Sequence, residues 1–186
     1  MSDLIHPAAL RLGVNIDHVA TIRNARGGDQ DQLTPDLLSS RIRDTVSGAN
    51  GTNVIGSSRM ASVPVGRLND AGIRVSLFIA PEARQLEAAM RLKAPVVEFH
   101  TGEYAHATGE ARAAELRKLA DMAALAAKNG IEPHAGHGLT FDNVQAVAAI
   151  PQIAELNIGH FLIGEAIFTG LDASIRRMRD LMDAAR

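Results

Sequence analysis

The chain has 186 residues, 46% of them hydrophobic, enough for a single domain over 1–186 with a sizeable core. Its net charge of −2 gives no reason to expect nucleic acid or an anionic membrane as partner. No apolar run reaches bilayer length, residues 1–10 lack the basic-then-apolar order of a secretory leader, and the absence of cysteine excludes disulfides, thiolate nucleophiles and cysteine-held metal centres, so the expected location is the cytoplasm.

The first element is a strand in which Leu12, Val14 and Ile16 share one face while Gly13, Asn15 and Asp17 share the other. It runs into His18 and a basic stretch with Arg23 and Arg26. Residues 31–64 are rich in Ser and Gly and hold no histidine, glutamate or aromatic, so they read as a linker-like or disordered segment. Residues 74–79 form a second strand, and Pro81 opens a helix whose inner stripe is marked by Leu86 and Met90. Residues 95–100 form a third strand, closed by Thr101-Gly102. A helix covers 109–129, with Leu116, Leu119, Met122, Ala123 and Ala126 on one face and Gly130 as its C-terminal cap. A strand over 131–134 leads into Ala135-Gly136-His137-Gly138 and a helix from about Asp142 to Ala149. The last strand covers 155–160, and Leu171, Ile175, Met178 and Met182 give the final helix its apolar stripe. Helices between successive strands require parallel pairing with right-handed crossovers. The fold class is α/β, a barrel-like arrangement with five recognisable strands.

Ionisable groups collect at the strand ends: Asp17 and His18 on the first, Glu98 and His100 on the third, His137 after the fourth, His160 after the fifth. In a parallel barrel these ends converge on one rim, where groups from different strands can act together. Glu98 is either an inward carboxylate or an exposed residue at a sheet edge. The apolar run Pro95-Val96-Val97 favours the inward reading, since a covered parallel strand is apolar on both faces. His137, between two glycines, has little packing to do and suits acid–base work. His18 and His160, taken singly, fit a structural role equally well, and His6 and His106 are assigned nothing. A metal site of nitrogen and oxygen ligands is the competing chemistry, but only His134 and His137 are close in sequence, so no metal is expected. Arg23 and Arg26, with Gly159 and Gly164 around a short helix, suggest phosphate, although the glycines alone equally fit a simple turn.

The segments Gly13 to Arg26 (GVNIDHVATIRNAR), Gly72 to Pro81 (GIRVSLFIAP), Ala94 to Gly102 (APVVEFHTG), Ala135 to Thr140 (AGHGLT) and Glu155 to His160 (ELNIGH) resemble the pyridoxine 5'-phosphate synthases of vitamin B6 biosynthesis. The resemblance implies a TIM-type (β/α) barrel, here incomplete with five recognisable strands of eight, a homo-oligomer (an octamer in that family), no metal and no organic cofactor. It implies condensation of two small phosphorylated substrates, 3-amino-2-oxopropyl phosphate and 1-deoxy-D-xylulose 5-phosphate, to pyridoxine 5'-phosphate, phosphate and water. Carried over, Asn15, Arg26, Gly138, Gly159 and His160 hold the amino-oxopropyl phosphate. Asp17 and His18 contact the deoxyxylulose phosphate, Glu98 stabilises a charged transition state, and His137 donates a proton. The chain departs from the family in the middle, where the second to fourth barrel strands carry two histidines, an arginine, a glutamate base and a threonine. Residues 31–64 do not reproduce that pattern, which removes two expected proton acceptors. The alternative to a synthase is therefore an inactive shortened member that keeps a phosphate-substrate binding or assembly role.

Overall fold

A computed structural model describes residues 9–19, 45–46 and 65–186. Its strands are β1 (Arg11–Val14), β2 (Thr45–Val46), β3 (Ser76–Ile79), β4 (Val96–His100), β5 (Glu132–Gly136) and β6 (Glu155–Ile158). All pairings are parallel, in the order β1-β6-β5-β4-β3-β2. The first strand thus lies against the last, as in a closed (β/α) barrel, and the described strands form part of such a wall. Four of the five expected strands lie within two residues of their expected bounds, but the first stops at Val14: Ile16 is exposed beyond it rather than on its apolar face, and Asp17 and His18 are already helical. β2 lies within the stretch read as linker-like, and the remainder of that stretch falls outside the described residues.

The helices are α1 (Ala83–Arg91), α2 (Gly102–His106), α3 (Gly109–Lys128), α4 (Val144–Ala148), α5 (His160–Thr169) and α6 (Leu171–Asp183); residues 17–19 and 65–70 are also helical. Leu77, Ile79, Val97, Phe99, Ala135, Leu156 and Ile158 point away from the bore and are buried in one core with Leu86, Leu119, Ala123, Val147, Leu162, Met178 and Met182 from the helices. The period-two strand pattern and the 3.6-period helix pattern therefore meet in a single apolar layer. α3 ends as expected. Gly130, at φ +74°, donates to Ala127 O and Ile131 donates to Ala126 O, the paired bonds of a Schellman turn.

Several helical readings need correction. Met90 is exposed, because α1 buries Gln85, Leu86, Ala88 and Ala89 instead, a face one residue round the helix from the one expected. Leu171 is exposed at the first position of α6, where Ser174 takes the inward place and donates to Leu162 O. Gly164 lies inside α5 rather than at its end. The final strand stops at Ile158, and His160 is already helical.

On the bore side, the end of the barrel holding the strand N-termini is filled by ions. Glu132 on β5 receives Arg11, Arg74 at 2.7 Å and the buried His134 at 2.7 Å, while Arg11 also reaches Glu155 at 2.7 Å. Partial burial alone would raise the Glu132 pKa, but the hydrogen bonds from His134, Arg11 and Arg74 outweigh it and hold the carboxyl at about 2.

Candidate active site

Above that ionic floor, bore-facing positions of neighbouring strands are small or polar. Glu98 on β4 accepts a hydrogen bond at 3.0 Å from Asn157 Nδ2 on β6, across the intervening β5. Room for that contact comes from Gly136. A Cβ there would run into Glu98 Oε1 and sit 2.7 Å from the Asn157 carbonyl oxygen. Glu98 therefore faces inward, half-buried, as the apolar flank of its strand suggested.

At the strand C-termini the histidines assemble. His137 leaves β5 with φ +83° and Gly138 follows at +82°, a left-handed pair that glycine accepts freely and histidine at some cost. The His137 ring stacks on His100 (centroids 4.6 Å apart, planes at 27°), and Phe78 lies 5.2 Å from His100 and 6.3 Å from His137. The Gly102 N–H donates to His100 Nδ1, so a neutral His100 keeps its proton on Nε2. His106 Nδ1 lies 2.7 Å from Gly102 O, which makes that nitrogen the protonated one. Burial pushes the His100 pKa down, and His137 pushes it further against a raising effect from Glu103. Burial also lowers the His137 pKa, followed by the charges available to His106, His18 and His160.

The second group is built where β1 meets β6. Asn15 N donates to Ile158 O at 3.1 Å, and a Cβ on Gly159 would lie 2.6 Å from Asn15 Cβ, 2.7 Å from Asn15 O and 2.8 Å from His18 Cδ2. Only glycine lets the chain beyond β1 close over the end of β6 in this way. Asp17 and His18 open the helical turn 17–19, and the His18 ring meets His160 edge to face at 5.2 Å. Gly159 also caps α5, whose first-turn N–H groups lie at the rim beside His160.

Asn15, His18, Gly159 and His160 thus form one group. Glu98, His137 and Gly138 form another with His100 and Asn157, and His18 and His160 are near enough to His137 to depress its pKa. Arg23 and Arg26 lie outside the described residues. Four contributors were missed in the sequence: Asn157, Thr101, His100 as a stacking partner, and His106. Strand parity could have found Asn157, two residues before Gly159 and on the Glu98 side of the wall. His106 carried no comparable signal, because its approach depends on the short five-residue helix α2. Among the described residues no three His, Asp or Glu side chains are grouped to hold a metal ion.

A parallel α/β wall whose first strand pairs with its last, with a carboxylate and clustered imidazoles at the strand C-termini, defines a barrel-type protein with a polar rim site. The family model for the pyridoxal phosphate biosynthesis protein PdxJ matches residues 40–184, and the chain belongs to that family. It is similar to the pyridoxine 5'-phosphate synthases of Zymomonas mobilis (42% identical; 95% of this chain, 93% of the relative), Rhodospirillum rubrum (43%; 95% and 96%) and Gluconobacter oxydans (41%; 94% and 100%). The Zymomonas alignment runs over 238 positions against a 186-residue chain, so at least 52 of them, the difference, fall opposite gaps in this chain. Among solved structures, the fold is similar to the BexX/CysO complex of Amycolatopsis orientalis (TM-score 0.55, 14% identical, 94% of this chain and 66% of that one). It is also similar to 3-keto-L-gulonate-6-phosphate decarboxylase of Vibrio cholerae (0.52, 14%, 72% and 59%). The chain spans less than two thirds of either of these, and at such identity the likeness concerns the fold alone.

Proposed function

We propose that this chain acts as a pyridoxine 5'-phosphate synthase, joining 3-amino-2-oxopropyl phosphate to 1-deoxy-D-xylulose 5-phosphate with release of phosphate and water. The observation that carries the reading is the rim itself, where an inward Glu98 held by Asn157 lies below a strained His137 stacked on His100. Amine addition, loss of water and phosphate, and ring closure are successive proton transfers, and they need several acid–base groups placed round bound phosphates.

In this reading His137 donates a proton during dehydration, and Glu98 stabilises positive charge in the transition state. Asn15, Gly138, Gly159 and His160, with Arg26, hold the amino-oxopropyl phosphate, the phosphate resting on the first-turn N–H groups of α5. Asp17 and His18 contact the deoxyxylulose phosphate. The active form is a homo-oligomer in the cytoplasm and needs no metal or organic cofactor. Among the described residues no helix is long and apolar enough to cross a membrane.

The competing reading, a shortened relative that binds but does not turn over, is not favoured by the relatives. Incubating the purified chain with both substrates and following pyridoxine 5'-phosphate separates the two. Product lost in H137N and E98Q supports the synthase, whereas saturable binding of the amino phosphate without product supports the remnant.

A further inference from the structure

The chain reverses after β5 through a turn uncommon for a residue other than glycine, with φ +83° at His137. Strain of this kind persists only where the surroundings impose it. The imposing group is on the neighbouring strand end. Thr101 is completely buried, its Oγ1 lies 2.8 Å from Gly136 O and 2.6 Å from His137 O, and its own N–H donates to Gly136 O at 2.9 Å. The same residue begins α2 and accepts from Ala105 N at 2.9 Å, while a Cβ on Gly138 would come 2.8 Å from Ala105 Cβ. The turn is thus seated on α2 from below and tied to Thr101 from the side.

We propose that Thr101 is a positioning residue for the reaction, its buried hydroxyl clamping the carbonyl ends of Gly136 and His137 so that the His137 imidazole is held over His100 and facing the bore. The proposal rests on His137 being the proton donor. The Thr101 N–H already serves Gly136 O, so a methyl group in place of the hydroxyl would leave His137 O, part-buried, without its donor while Gly136 O keeps one. The turn would then relax towards ordinary φ and carry the ring into solvent. The titratable groups on the elements around His137 are Asp17 and His18 after β1, Glu98 and His100 on β4, Glu103 and His106 on α2, and His160 on α5. Thr101 carries no charge, so it acts on His137 only through geometry.

The test is histidine-selective NMR titration of the full chain, with the His137 signal assigned by its loss in H137N. In the unsubstituted protein His137 titrates below 6.5, the direction burial and its histidine neighbours give it. T101V is expected to move that midpoint up towards 6.5 and to lower kcat about 10- to 100-fold, the scale of a displaced catalytic group, with both KM values within about twofold. T101S is expected to restore both. If T101V does not fold, T101A set against T101S carries the same comparison. An unchanged His137 midpoint in the folded variant, or a fall in kcat no larger than the loss of folded protein, overturns the proposal. Absence of turnover in the unsubstituted chain would defeat the synthase reading alone, since the titration decides the clamp without it.

Discussion

Glu98 illustrates how much one side chain's role depends on what its neighbours lack. Its carboxylate occupies space that Gly136 leaves open, and its partner Asn157 is two strands away. We therefore expect G136A to push the carboxylate aside and to destabilise the fold by about 1–3 kcal/mol, as overpacking does, with turnover lost as well. Urea unfolding and product assay on one preparation check both. N157A should leave Glu98 without that donor, lowering kcat with little change in KM; an unchanged kcat would show that Asn157 does not orient the carboxylate. The residues named from sequence were those with a local signature: a histidine between glycines, a carboxylate on an apolar strand, a glycine before a histidine. Asn157 and Thr101 were not legible in that way, since an Asn in a strand and a Thr after one are ordinary. Their importance comes only from register and from the backbone bending beside them.

At the scale of elements, the strands were easier to read than the helix faces. Covered parallel strands announce themselves through apolar runs such as Pro95-Val96-Val97, whereas α1 is so rich in alanine that its buried face shifts by one residue without altering the pattern. The two glycines expected to surround a short anion-binding helix divide on the same ground. Gly159 sits where β1, β6 and α5 meet and admits no Cβ, while Gly164 is in a helix interior with nothing within 4 Å of a Cβ. G159A should accordingly disrupt the β1–β6 junction. G164A should stabilise the protein by about 0.5–1 kcal/mol, the helix-propensity difference between alanine and glycine. Thermal melts of the pair would show opposite shifts, and a destabilised G164A would mean that this helix face is packed.

The molecule as a whole divides its charge between the two ends of the bore. One end holds paired ions, Glu132 with Arg11, Arg74 and His134; the other holds imidazoles and a carboxylate. Because the folded Glu132 carboxyl titrates at about 2, below its ordinary value of 4.5, it contributes stability that is fully present above 4.5 and is lost as pH falls from 4.5 through 2. E132Q should therefore flatten the acid limb of a stability–pH curve between those values. An acid limb of the same slope in E132Q would place the acid sensitivity elsewhere. The α/β class, the parallel pairing and the family were all visible in the sequence, because five motifs recur in the right order. The ionic floor was not, since Arg11, Glu132 and Glu155 lie far apart in the chain and meet only through strand register.

We propose that this chain, aligned with its Zymomonas relative across at least 52 gapped positions, carries out the family's chemistry at this rim. The purified 186-residue protein, given 3-amino-2-oxopropyl phosphate and 1-deoxy-D-xylulose 5-phosphate, should form pyridoxine 5'-phosphate, and H137N should abolish it. Binding of the amino phosphate with no pyridoxine 5'-phosphate formed over many hours would show that the rim binds without catalysing.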